Sequence, residues 1–144
     1  MRKHINILWN AVWRTVVHGI IIYLLISIIA GIYTNGLISL IFFLPSSFIV
    51  GVTSAFINPL FLLGLAESSF LSSSNKTLNK FLFTFIGAAF GAIFGAIIMF
   101  SLVENDKMLG AMANTLTQAS SLIAAVSYGI TNYKFACWHQ NRIH

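Results

Sequence analysis

A chain of 144 residues that is 58% hydrophobic and only 8% charged falls far below the roughly 25% charged residues of an average soluble domain. A soluble fold of this length has too little interior to hide so much apolar surface. Nor is there room beside the apolar stretches for a separate folded domain, since each crossing takes about 20 residues to span roughly 30 Å of hydrocarbon. The chain therefore reads as an all-α, polytopic membrane protein, one domain over residues 1–144, with four transmembrane helices and an amphipathic N-terminal helix.

Arg2 and Lys3 precede an apolar run as in a secretory signal, but the run starts late and no A-x-A site follows, so the segment is expected to stay in the mature protein. Over residues 4–17, Asn6, Asn10 and Arg14, continued by His18, recur every four residues, while Ile5, Leu8, Trp9, Val12, Trp13 and Val16 cover the opposite face. This predicts an interfacial helix in the inner headgroup layer, with Trp9 and Trp13 as anchors. It runs into a first span over residues 16–33, which ends at the turn signal Thr34-Asn35-Gly36.

The second stretch, residues 37–66, is longer than one crossing needs and contains Pro45 and Asn58-Pro59, so a kink, a break or a re-entrant piece is expected there. A polar connector with Ser68, Ser69, Ser72, Ser73 and Ser74 follows. In the third span, residues 81–103, Gly87, Gly91 and Gly95 stand at every fourth position beside Ala88, Ala92 and Ala96. In lipid, such a flat face lets two helix backbones approach. It can serve packing within the chain or self-association, and a homo-oligomer is expected. The fourth span, residues 108–133, carries Asn114, Thr117, Gln118 and Ser121 at i, i+3, i+4 and i+7. Amides need partners in lipid, so this stripe is expected to face another helix or a hydrated path. Trp138 and Tyr133 are the anchors beyond it.

Basic residues near span ends are retained in the cytoplasm. Arg2, Lys3 and Arg14 precede the first span, Lys76 and Lys80 lie between the second and third, and Lys134 and Arg142 follow the fourth; Lys107, next to Asp106 and near Glu104, falls on the other side. Both termini are thereby expected in the cytoplasm, in a bacterial inner membrane by composition. The basic inner face suits anionic lipids or an acidic soluble protein, whereas its cations are too few and dispersed for nucleic acid. Asn75-Lys76-Thr77 fits a glycosylation sequon, but on the cytoplasmic side it has no use.

Reaction chemistry finds little support. The three acids, Glu67, Glu104 and Asp106, form no buried pair for acid/base work. The histidines, His4, His18, His139 and His144, lack metal-site spacing. Cys137 is the single cysteine, which rules out an intrachain disulfide. No ionisable residue stands mid-span as a proton relay would require. No cofactor or metal is expected. The expectation is a non-enzymatic membrane subunit that self-associates and docks or signals to a cytoplasmic partner, as sensing, immunity or defence components do. The alternative is a homo-oligomeric pore lined by the fourth span's polar stripe.

Overall fold

The computed structural model describes residues 2–33, 37–67, 76–104 and 113–143. Every described element is helical: α1 (Arg2–Trp13), a π-helical turn (Arg14–His18), α2 (Gly19–Tyr33), α3 (Leu37–Glu67), α4 (Lys76–Val103) and α5 (Ala113–Ile143). The first three join end to end, so the chain forms four rods that pack side by side. Three of them hold stretches long and apolar enough to cross a membrane, namely His4–Ala30, Phe43–Glu67 and Lys76–Val103. This makes a membrane protein of the chain. The rod α5 does not meet that measure, because hydroxyl and amide side chains recur along its length.

The predicted N-terminal helix runs into the first span, as its bounds implied. Nothing between Trp13 and Gly19 breaks the helix, and residues 4–17 pack along the bundle as the first half of one rod. Its buried side is Ile7, Ala11 and Thr15, whereas Ile5, Trp9 and Trp13 of the predicted apolar face point outward. The arrangement has a physical cause. Lipid solvates a large apolar side chain as well as a protein interior does, so the bundle keeps its small and polar residues inside and turns its bulk outward.

Pro45 and Pro59 both lie inside an unbroken α3 rather than at a break. Membrane helices tolerate proline where neighbouring helices and serine or threonine hydroxyls satisfy the freed backbone. Ser46, Ser47, Thr53 and Ser54 each donate to a carbonyl three or four residues earlier, although not to those of Ile41 and Ala55, which the prolines deprive of a donor. At the other end, α5 runs ten residues past Tyr133, so the predicted tail is a helix through Ile143. Met108 to Met112, where the fourth span was expected to begin, lie outside the described residues, as do Asp106, Lys107 and the serines of the connector.

A single spacing organises the interior. Buried positions recur every fourth residue: Ile7, Ala11, Thr15, Gly19, Tyr23 and Ser27 on the first rod, then Ser46, Val50, Ser54, Asn58 and Leu62 on α3. The rule continues with Phe83, Gly87, Gly91, Gly95 and Met99 on α4 and with Ser120, Ala124, Tyr128 and Asn132 on α5. Four residues overshoot one turn by about 40°, so such a seam winds around a straight α-helix. The π turn at Arg14–His18 adds a residue to the turn and takes back about 100° on the longest seam, which keeps Ile7 and Ser27 on the bundle side.

Candidate functional site: a polar seam that ends in a basic face

The glycines of α4 set the closest approach in the molecule. A methyl group at Gly87 or Gly91 would run into the carbonyl oxygens of Tyr128 and Ala124, and one at Gly95 would stand 2.7 Å from the carbonyl oxygen of Ser120. The two helices run antiparallel, and each step of four on α4 matches a step of four on α5. Hydroxyls cross the same contact, Ser120 donating to the Gly95 carbonyl and Ser121 to the Ala92 carbonyl, both at 3.0 Å. The glycine face is thus filled by α5 of the same chain and has no room for a second copy.

Packed on that pair, α2 and α3 close three polar layers. In the first, the Tyr23 hydroxyl lies 2.7 Å from Ser120 Oγ and 3.2 Å from Ser46 Oγ. Ser46 also donates to the Phe43 carbonyl. In the second, the Tyr128 hydroxyl is 2.6 Å from Ser54 Oγ. Gly19 leaves space for the Tyr128 ring, since a methyl there would sit 3.0 Å from its edge. In the third, Asn58 Nδ2 donates to Asn132 Oδ1 and to Thr15 Oγ1 at 3.0 Å each, and Asn132 Nδ2 returns a bond to Asn58 Oδ1 at 3.2 Å. Both protons of the Asn58 amide are engaged. Buried amides stay neutral and uncharged, so they can hold helices together without the desolvation that an ion pair would incur.

Beyond the third layer an apolar cluster of Ile7, Ala11, Leu62, Phe83, Phe135 and Ala136 continues the interior, and the charged groups stand around this end. His4 Nδ1 and Glu67 Oε1 pair across α1 and α3, and Gln140 Nε2 donates to the Lys76 carbonyl at 2.9 Å. The Arg14 guanidinium lies 5.6 Å from the Trp138 ring centre, and the Lys80 ammonium lies 6.0 Å from that of Tyr133. Arg14, Lys76, Lys80 and Lys134 therefore share one end of the molecule, and Glu104 marks the other. Trp138 is half-buried beneath Arg14, while Trp9 and Trp13 are exposed as anchors would be. The side chains of Arg2, Lys3 and Arg142 lie outside the described residues.

The predicted stripe on α5 is divided. Ser121 is used on α4, and Thr117 Oγ1 is buried without a partner among the described residues. Asn114 and Gln118 are exposed on the outside of the bundle. The amides that do meet inside, Asn58 and Asn132, and the two tyrosines between them and the far end, were not singled out from sequence. Their signal was present: Ser46, Ser54 and Asn58 are separated by multiples of four, as are Ser120, Tyr128 and Asn132. Among the described residues, no three His, Cys, Asp or Glu side chains gather as metal ligands would. No protein-family model, curated protein or solved structure matches the chain.

Proposed function

We propose that the chain is a four-crossing integral protein of a bacterial inner membrane, with both termini in the cytoplasm, and that it acts as a non-catalytic subunit presenting its basic end to an acidic cytoplasmic protein. The observation that carries this reading is the gathering of Arg14, Lys76, Lys80 and Lys134 at one end, where Glu67, the acid described there, pairs with His4. The interior supports the same reading, since its polar groups bond to one another and not to a substrate-sized space.

α5 completes a fourth crossing in company, because its inward Ser120, Tyr128 and Asn132 bond to α2, α3 and α4. Impermeant maleimide labelling in a Cys137→Ser background tests the topology. A cysteine replacing Ser72 should react only in inverted vesicles and one replacing Lys107 only in right-side-out cells; the reverse pattern refutes it. Cross-linking of nanodisc-embedded protein to membrane-free cytosol tests the docking. A product retained by the wild type and lost in Lys76→Glu/Lys80→Glu supports the basic face, and an indifferent product refutes it.

A second reading, the oligomeric pore, is favoured by the outward amides of Asn114 and Gln118, which a second copy or a column of water would satisfy. Liposome flux that changes in Gln118→Leu supports it, and electrically silent protein removes it. Self-association, on either reading, must use a surface other than the glycine face.

A further inference from the structure

The cations at the basic end are not equivalent. The π turn packs on α5, and the crevice along that contact is edged by the cations Arg14 and Lys134. Arg14 Nε and His18 Nδ1 are both buried there without a hydrogen-bond partner among the described residues. The charged groups acting on His18 are Arg14 and Lys134, both cations. The helices are antiparallel, so the contact of Arg14 with Trp138 brings His18, one turn further on, level with Lys134, one turn back. A buried guanidinium nitrogen without an acceptor is expensive, costing more than a neutral donor left alone. Two such buried nitrogens beside the exposed ammonium of Lys134 are explained by an anion that the described residues do not supply.

We propose that this crevice binds a phosphate group, with Arg14 and Lys134 as the charged donors, His18 as the third donor and the Trp138 ring as the floor on which the guanidinium rests. Guanidinium matches phosphate oxygens in a planar fork and stacks on aromatic rings, which an ammonium does less well. The π turn contributes directly. It begins at Arg14 and ends at His18, and such turns are frequent at functional sites because they re-aim side chains within a helix.

Depth names the source that fits best. From Ala113 to Lys134 α5 rises ~32 Å, and from Tyr33 back to Arg14 the first rod spans ~28 Å, both close to one hydrocarbon thickness. If the far ends of these rods lie at the outer surface, the crevice opens at the level of the inner-leaflet phosphates, where anionic lipids concentrate. That step rests on the membrane topology proposed above, whereas the phosphate chemistry does not.

Native mass spectrometry of protein released from nanodiscs containing phosphatidylcholine and graded phosphatidylglycerol provides the test, with a parallel thermal melt in lipid-free detergent against inorganic phosphate. The wild type should retain phosphatidylglycerol selectively. Arg14→Gln and Lys134→Gln should each weaken retention at least tenfold, and Arg14→Lys, which keeps the charge and loses Nε, should fall between. Lys76→Gln, at the same end but outside the crevice, should match the wild type. Phosphate-dependent stabilisation that the same variants abolish, without headgroup selectivity, assigns the site to a free anion instead. Lys134 is exposed, so its variant reads the site even where Arg14 variants fail to fold. If Arg14→Gln and Lys134→Gln behave as Lys76→Gln does in both arms, the proposal is wrong. Purification from cytosol without detergent would remove the membrane reading alone, since the phosphate arm would still report on the crevice.

Discussion

Gly91→Ala separates backbone contact from helix propensity. A methyl at this position meets the carbonyl oxygen of Ala124 and, at 3.0 Å, the amide nitrogen of Ala125. Those atoms belong to the helix itself and cannot rotate away, so α4 and α5 must move apart along their length. Overpacking of this kind costs about 1–3 kcal/mol. Separation also stretches the bonds from Ser120 to Gly95 and from Ser121 to Ala92, each worth about 0.6 kcal/mol in lipid. Alanine returns up to about 1 kcal/mol through its better helix propensity. The net expectation is a loss of about 1–3 kcal/mol. Gly64→Ala on α3 is the matched control, because a methyl there meets nothing within 4 Å; it should stabilise by up to about 1 kcal/mol. Equilibrium unfolding in mixed micelles, followed by circular dichroism, gives both values on one scale. If Gly91→Ala proves as stable as Gly64→Ala, the α4–α5 contact does not exist as described.

The asparagine layer should behave as a unit. Asn58→Ala and Asn132→Ala should each destabilise by about 1–3 kcal/mol, because each leaves a buried amide short of partners, and the double variant should lose less than the combined single losses; strict additivity in the same unfolding assay would refute the pairing. Tyr23→Phe should cost only about 1 kcal/mol, since Ser46 and Ser120 keep their own carbonyl acceptors and lose one bond each to the phenol; a loss beyond about 3 kcal/mol would show that the phenol organises the layer. Thr117→Val removes a buried hydroxyl that has no partner, so it should leave stability unchanged or raise it by about 1 kcal/mol. A destabilised valine variant would mean that the hydroxyl is bonded in the folded protein.

Three of the four rods were legible in the sequence from apolar length. Their inner faces were harder to read. Trp9 and Trp13 of α1 read as interfacial anchors and are exposed, while the buried Ala11 and Thr15 went unremarked. In lipid, small size and hydrogen-bonding capacity mark the interior, and Gly87, Gly91 and Gly95 were recognised on those grounds. Applied to α3 and α5, the same criterion finds Ser54, Asn58, Ala124 and Asn132. The stripe from Asn114 to Ser121 followed the α-helical period but lies about a third of a turn off the inner face, which passes through Leu116, Ser120 and Ala124. Asn58-Pro59 reads as a kink, a break or a re-entrant piece; the helix continues through it, and the asparagine is a central bonding residue. The basic end was legible from charge placement, but the pairing of Arg14 with Trp138 depends on register between distant helices, which no local pattern encodes.

The serine bonds from α5 to the carbonyls of α4 bear on how the chain is made. On the four-crossing reading, α5 is too rich in hydroxyls and amides to partition into lipid by itself, whereas α4 leaves the ribosome just before it with a glycine groove ready to receive it. The two would enter the bilayer together as a hairpin, with the earlier segment acting as a chaperone for the later one. Biogenesis is then sensitive to the order of synthesis: a chain permuted so that α5 emerges first should stall outside the membrane, although every contact of the finished bundle would still be available to it.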